Sequence, residues 1–318
     1  MIDILTLTIP FFLIILSGSY ARHKNWFDDA SGRILAKFAF FVALPPFLFL
    51  SIISAPVSSV FDIRFVILYE AGTVIMFLFA LIISRKIFML KIGEGAIFSL
   101  NATYPNYGYI GVPLVLLAFG EKAAIPVALI LVFDSIVLLG LTSFFSSQNN
   151  ESSIAKGVSL AILSMFSNPL VPTVLLGLGC LIGGVKLPEL PQFVLGILAG
   201  AAAPTALFAL GITLVGQPIH YSAIKELSFL VCAKLIFHPM VLIILFLFWS
   251  SSNNHTIDPM WIKVAVIFSS LPIAANVFAL SEFYSSYRGK TASAIVLSTV
   301  LSGLTIPCVL FFVSIAFL

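Results

Sequence analysis

The chain has 318 residues, of which 60% are apolar and 9% charged, with a formal net charge of +3 and a mean hydropathy of +1.16. Soluble domains carry about 25% charged residues, so this balance excludes a water-soluble globular protein, and so small a net charge gives no footing for nucleic acid. Cys180, Cys232 and Cys308 stand far apart in apolar runs, without disulfide or metal-ligand spacing.

Apolar runs near the ~20 residues that cross a bilayer predict an all-α integral membrane protein of about ten spans. They fall roughly at 4–20, 33–53, 65–84, 95–119, 123–145, 169–184, 190–214, 225–249, 260–283 and 291–316. The first run has no positive lead-in and is followed by Arg22, His23 and Lys24. That reads as a retained span rather than a signal peptide. Span two carries Ala43-Leu-Pro-Pro-Phe47, and span three carries Glu70 towards its outer end, read as an interfacial acid.

Span four is broken. Residues 102–113 read Ala-Thr-Tyr-Pro-Asn-Tyr-Gly-Tyr-Ile-Gly-Val-Pro, and proline inside a helix removes a backbone donor and clashes with the preceding turn. At membrane depth such a break survives only where protein or a wet cavity answers the freed backbone groups. Span five carries Asp134 twelve residues beyond Lys122, roughly 18 Å along a helix at 1.5 Å per residue. A polar insert at 146–153 follows, then an amphipathic stretch at 152–166 with Ile154, Val158, Ala161, Ile162 and Met165 at helical spacing, expected to lie in the interface.

Span six is short and glycine-rich (Gly177, Gly179, Gly183, Gly184), which favours close helix packing. Span seven repeats a proline motif, Ala203-Pro-Thr-Ala206. Span eight carries Lys234, nine residues beyond Lys225, and His238 ahead of Pro239. Lys234 is read as a countercharge for Asp134 or an anion, or as a lysine snorkelling to the cytoplasmic side, the latter preferred. Span nine is broken at 270–276, Ser-Leu-Pro-Ile-Ala-Ala-Asn.

Arg22, Lys24, Arg33, Arg85, Lys86, Lys91, Lys156, Lys225, Arg288 and Lys290 follow odd-numbered spans, against Arg64, Lys122 and Lys186 after even-numbered ones. By the positive-inside rule the first set is cytoplasmic and both termini lie outside. The polar insert divides the chain into a first five-helix repeat (1–145), a cytoplasmic connection with its interfacial helix (146–168) and a second repeat (169–318). Each half has a proline-bearing second span and a broken fourth span. Five is odd, so the second repeat is inverted, the plan of many secondary transporters.

The breaks are the candidate binding site. Each presents a half-helix N-terminus, whose unbonded N–H groups and partial positive charge favour an anion. Asn106 and Asn276, beside Pro105 and Pro272, supply amides able to orient a carboxylate or to bond freed backbone. Tyr107 and the turns at Pro46 and Thr205 are expected to shape the pocket, with Tyr104 and Tyr109 as further aromatic walls. Asp134, Ser135 and Lys234 are the candidates for proton or Na⁺ coupling, since charged residues inside spans are costly and mark function. No Walker loop, metal-ligand cluster or nucleophile–base pair is evident. The expectation is therefore a carrier without cofactor beyond H⁺ or Na⁺, not an enzyme. The alternative is a cation/proton exchanger of the same crossed-helix plan.

Tyr104-Pro-Asn-Tyr-Gly-Tyr-Ile-Gly-Val-Pro-Leu114, Phe119-Gly-Glu121, Lys234-Leu-Ile-Phe-His-Pro239, Leu271-Pro-Ile-Ala-Ala-Asn-Val-Phe-Ala-Leu280 with Tyr284, and Ser298-Thr-Val-Leu-Ser302 together resemble the auxin efflux carrier family in its short bacterial form. The resemblance covers essentially the whole chain. It implies two inverted five-helix repeats crossing at spans four and nine. It also implies a scaffold of spans one, two, six and seven that often mediates a homodimer, and a transport part moving like an elevator in the cell (inner) membrane. The implied substrates are organic anions: indole-3-acetate in plant members, malonate- or malate-type dicarboxylates in bacterial ones. The family's substrate asparagine carries over to Asn106, and its second crossover proline to Pro272. The long loop between the halves of the plant proteins is absent, Glu70 matches their acidic residue only with a one-residue shift, and Asp134 stands where a glutamine is expected.

Overall fold

A computed structural model describes residues 2–56, 61–147, 168–217, 219–252 and 257–316. Among them the structure is all-helical, without a β-strand. The helices are α1 (Ile2–His23), α2 (Asp29–Ile53), α3 (Ile63–Lys86), α4 (Ile92–Thr103), α5 (107–119), α6 (Ala124–Ser147), α7 (Leu170–Ile182), α8 (Glu189–Leu214), α9 (Tyr221–Ser251), α10 (Pro259–Ser270), α11 (Asn276–Phe283) and α12 (Arg288–Ala316). Six of the continuous helical stretches are long and apolar enough to span a bilayer, and α7 and α10 are shorter apolar helices. The chain is an all-α membrane protein. The interfacial helix expected at 152–166 lies outside the described residues, as does the polar insert from residue 148 onward.

Local sequence explains where helices start and bend. Asp28 caps α2 by accepting from the Ser31 N–H and hydroxyl, and these bonds hold its carboxyl below the ordinary carboxylate range. Wide π-turns occur at Ala39–Ala43, Tyr107–Gly111 and Ala233–Phe237. Each ends two residues ahead of a proline: Pro45, Pro113 and Pro239. Proline cannot donate to the preceding turn and its ring crowds the carbonyl there. Widening the turn by one residue relieves both faults without ending the helix.

The chain forms two compact units, each drawn from both halves of the sequence. Unit 1 comprises Met1–Asp62, Tyr107–Leu131 and Asn168–Gln217. Its firmest contact is backbone to backbone between α1 and the end of α8. A Cβ on Gly18 would stand 2.1 Å from the Phe208 carbonyl oxygen, and one on Gly211 2.0 Å from that of Ile15. The Ser19 hydroxyl donates to the Gly211 carbonyl at 2.9 Å across the same seam. Small residues permit this approach in a bilayer, where close packing replaces the hydrophobic effect between helices. On α7, Gly177 meets Ile52 of α2, but a side chain on Gly179 would find open space. The glycine-rich span is thus tight at one position rather than along its length.

Unit 2 comprises Ile63–Asn106, Val132–Ser167 and Pro218–Leu318. Gly72 of α3 admits Leu242 of α9, and Gly95 of α4 sits against Ser84 of α3. Two aromatic groups bracket these helices. Phe65 of α3 stacks on Phe246 and meets Trp261 edge-on, while Phe98 of α4 stacks on Phe229 at 5.6 Å with Phe88 and Tyr287 alongside. The segments of α3 and α9 between those groups carry the polar side chains described next.

Candidate functional site

Both candidate breaks are built by the same chemistry. The residue before a proline is pushed out of the helical region into extended backbone. Tyr104 stands at φ −75°, ψ 108° before Pro105, and Leu271 at φ −63°, ψ 153° before Pro272. The two extended stretches meet as an antiparallel bridge, Pro105 against Ile273. The Asn106 N–H donates to the Pro272 carbonyl at 2.9 Å, and the Ala274 N–H to the Tyr104 carbonyl at 3.1 Å. The Ile273 N–H donates to the Ser298 hydroxyl of α12. Backbone released by the two prolines is therefore answered inside unit 2. Pro105, Asn106 and Pro272 are brought together there and buried, while Asn276 is half-buried and opens α11. Tyr107, Pro46 and Thr205 belong to unit 1. Tyr107 is buried in its π-turn, Pro46 is buried in α2 and Thr205 is half-buried in α8.

A buried ionisable cluster adjoins this bridge within unit 2. The Tyr104 hydroxyl is hydrogen-bonded to Ser135, one residue from Asp134. Asp134, Ser135, Lys234 and His238 are each fully buried. Lys234 does not snorkel: its ammonium donates to the Ser269 carbonyl at the end of α10 and acts on Asp134 as a neighbouring charge. The snorkelling expectation fails because Lys234 is drawn inward by that carbonyl and that carboxylate. The Glu70 carboxyl is enclosed as well. Both its oxygens are buried, the Asp134 charge acts on it, and α3 places Thr73 one turn further on the same face. Thr73 approaches Asp134 and lies 3.3 Å from Nε2 of His238. Neither oxygen of Glu70 or of Asp134 completes a hydrogen bond.

Tyr69 and Thr73 went unnoticed in the sequence, where Glu70 was read as interfacial and His238 was named without a role. Spacing alone carried a faint signal. Glu70 and Thr73 are three apart and Lys234 and His238 four apart, so each pair shares a helix face. Which faces meet is a tertiary fact. Another buried polar residue, Asn101, donates to the Ile97 carbonyl and to Thr291 of α12. Among the described residues no three His, Cys, Asp or Glu side chains are grouped to hold a metal ion.

Residues 3–310 match the family model described as "Membrane transport protein". A Rhizobium meliloti (strain 1021) protein named "Putative malonate transporter" is 31% identical over 98% of this chain and 97% of its own length. The "Uncharacterized transporter YfdV" of Escherichia coli (strain K12) is 24% identical over 90% of each chain. A mouse "Lysosomal cholesterol signaling protein" is 25% identical over 92% of this chain, which covers 35% of that longer protein.

Proposed function

The chain belongs to the auxin efflux carrier family of membrane transport proteins, and from that premise we propose that it is a secondary carrier of small organic anions, with malonate as the first substrate to test. What supports the substrate class most directly is the near full-length similarity to a relative named for malonate. Asn106 and Asn276, beside the two proline breaks, hold the carboxylate against the N–H groups at those helix ends. Tyr107, Pro46 and Thr205 shape the pocket, and the carrier works by elevator-type alternating access. Ten spans in two inverted repeats cross at residues 105 and 272, both termini face outward, and the protein is a homodimer of the cell (inner) membrane. Asp134, Ser135 and Lys234 form the ion-coupling element, driven by H⁺ or Na⁺.

A second reading has one observation in its favour. The buried Glu70 and Asp134 carboxylates beside the crossing are the ionisable pair that a cation/proton exchanger of this plan would need. One experiment separates the two. Proteoliposomes preloaded with unlabelled malonate are assayed for uptake of labelled malonate, with acetate, malate and indole-3-acetate as competitors. Internal pH is followed in parallel during Na⁺ and K⁺ pulses. The carrier reading predicts malonate counterflow. Cation-driven pH change without any carboxylate movement would select the exchanger.

A further inference from the structure

Counting the charges enclosed in unit 2 gives a result that Asp134 and Lys234 alone do not. Among the described residues, the ionisable groups facing the cluster come from four segments. Tyr69 and Glu70 come from α3, Tyr104 from the bridge, Asp134 from α6, and Lys234 and His238 from α9. The Asp134 charge acts on Glu70, and Lys234 is the cation acting on Asp134. With both carboxylates ionised, Lys234 charged and His238 neutral, the site would carry one uncompensated negative charge in a water-poor interior, which is strongly unfavourable.

The hydrogen-bond inventory points the same way. Both oxygens of each acid complete no bond, although carboxylates are strong acceptors. Fully buried Tyr69 Oη and His238 Nδ1 also lack a partner. The Ser269 carbonyl already accepts from Lys234 and the Tyr104 and Ser135 hydroxyls bond each other, which leaves the carboxylate oxygens to take the compensating charge. An ammonium beside the site would repel a second cation. A proton neutralises the excess charge without needing a ligand shell.

We propose that Glu70 and Asp134 share one exchangeable proton, with Lys234 balancing whichever carboxylate is ionised, and that the carrier exchanges this proton with water on alternate sides of the membrane. The first half concerns the site alone, while the second rests on the carrier reading above. In the step, a carboxylic acid O–H breaks, its proton passes to water, and the carboxylate pair remains with Lys234. Removing either acid leaves a balanced carboxylate–ammonium pair with no excess charge to neutralise.

Infrared difference spectroscopy of the purified protein in lipid, titrated between about pH 5 and 9, where ordinary surface carboxylates are ionised, reads the site directly. The wild type should show the carbonyl stretch of one protonated carboxyl that is lost as pH rises. Glu70→Gln and Asp134→Asn should each abolish it. No such band in the wild type, which depends on no variant folding, would overturn the proposal, as would a band that survives in either well-folded variant. In proteoliposomes an inward pH gradient should accumulate labelled malonate, and Glu70→Gln should cut accumulation at least tenfold more than counterflow. Accumulation driven by a Na⁺ gradient at equal pH would overturn the proton assignment. Intact counterflow with no response to pH would overturn the coupling half, and absent counterflow beside the expected infrared band would overturn the malonate carrier reading while sustaining the proton site.

Discussion

Replacing Gly18 with alanine tests the seam on which unit 1 is built. The added Cβ would lie 2.1 Å from the Phe208 carbonyl oxygen, 3.0 Å from its carbonyl carbon and 3.2 Å from its Cα. All three are backbone atoms of α8, so no side-chain rotation relieves the clash. An ordinary contact begins near 3.4 Å, and α1 and α8 must therefore part by about 1.3 Å. A radial gap of 0.5–1 Å already forfeits roughly a quarter to a half of each dispersion well. The Ser19–Gly211 bond, now 2.9 Å, would stretch to about 4.2 Å and fail, at a cost of about 1 kcal/mol. Overpacking of this kind costs about 1–3 kcal/mol. The assay is thermal unfolding of the detergent-purified protein, with Gly179→Ala as control because its Cβ meets nothing within 4 Å. The reasoning predicts that Gly18→Ala unfolds well below wild type while Gly179→Ala does not. Equal stability of the two variants would refute the close α1–α8 contact.

Other substitutions test unit 2. Lys234→Met removes the cation beside a buried Asp134, and breaking such a pair costs about 3–5 kcal/mol. Thermal unfolding should show that loss, with Asp134→Asn in the same chain restoring part of it; a double variant no better than the single would argue against their coupling. Tyr287→Phe removes the phenol that donates to Glu226, which also accepts from Lys290 at 2.8 Å. A hydrogen bond to a charged group contributes about 1.5–3 kcal/mol, so Tyr287→Phe should be less stable by up to that amount. Burial, then the Glu226 hydrogen bond and charge, push the Tyr287 phenol far above its ordinary value. A raised phenol contributes stability below the unfolded value near pH 10 and loses it as pH climbs beyond. The wild-type to Tyr287→Phe difference should hold steady from about pH 7 to 9 and shrink above pH 10; a difference that grew there would contradict the assignment.

The all-helical membrane fold was legible because hydropathy reports the bilayer directly, and lipid admits few alternatives for an unsatisfied backbone. The stop after Thr103 and the stop after Ser270 were legible for a local reason: Pro105 and Pro272 dictate the backbone of the residue before them. Asp134 stood out because an acid so deep in an apolar helix needs an explanation. Glu70 did not, since seven residues from the start of α3 is a depth at which an acid ordinarily reaches water. Its burial goes with α9 packing against α3 and with Asp134 of α6 close enough for its charge to act there, a consequence of pairing between segments more than 60 residues apart. Lys234 failed for the complementary reason. Its long stem permits snorkelling in isolation, and only the Ser269 carbonyl and the Asp134 charge turn it inward.

The central claim is that a carboxylate is carried at the crossing of residues 104–106 with 271–274, and labelled-malonate counterflow into proteoliposomes bearing wild type or Asn106→Ala tests it most directly. The account predicts saturable counterflow in the wild type and a fall of at least tenfold in Asn106→Ala, with the variant's thermal unfolding close to wild type. Undiminished counterflow in Asn106→Ala would contradict it, and the site would have to be sought away from the crossing.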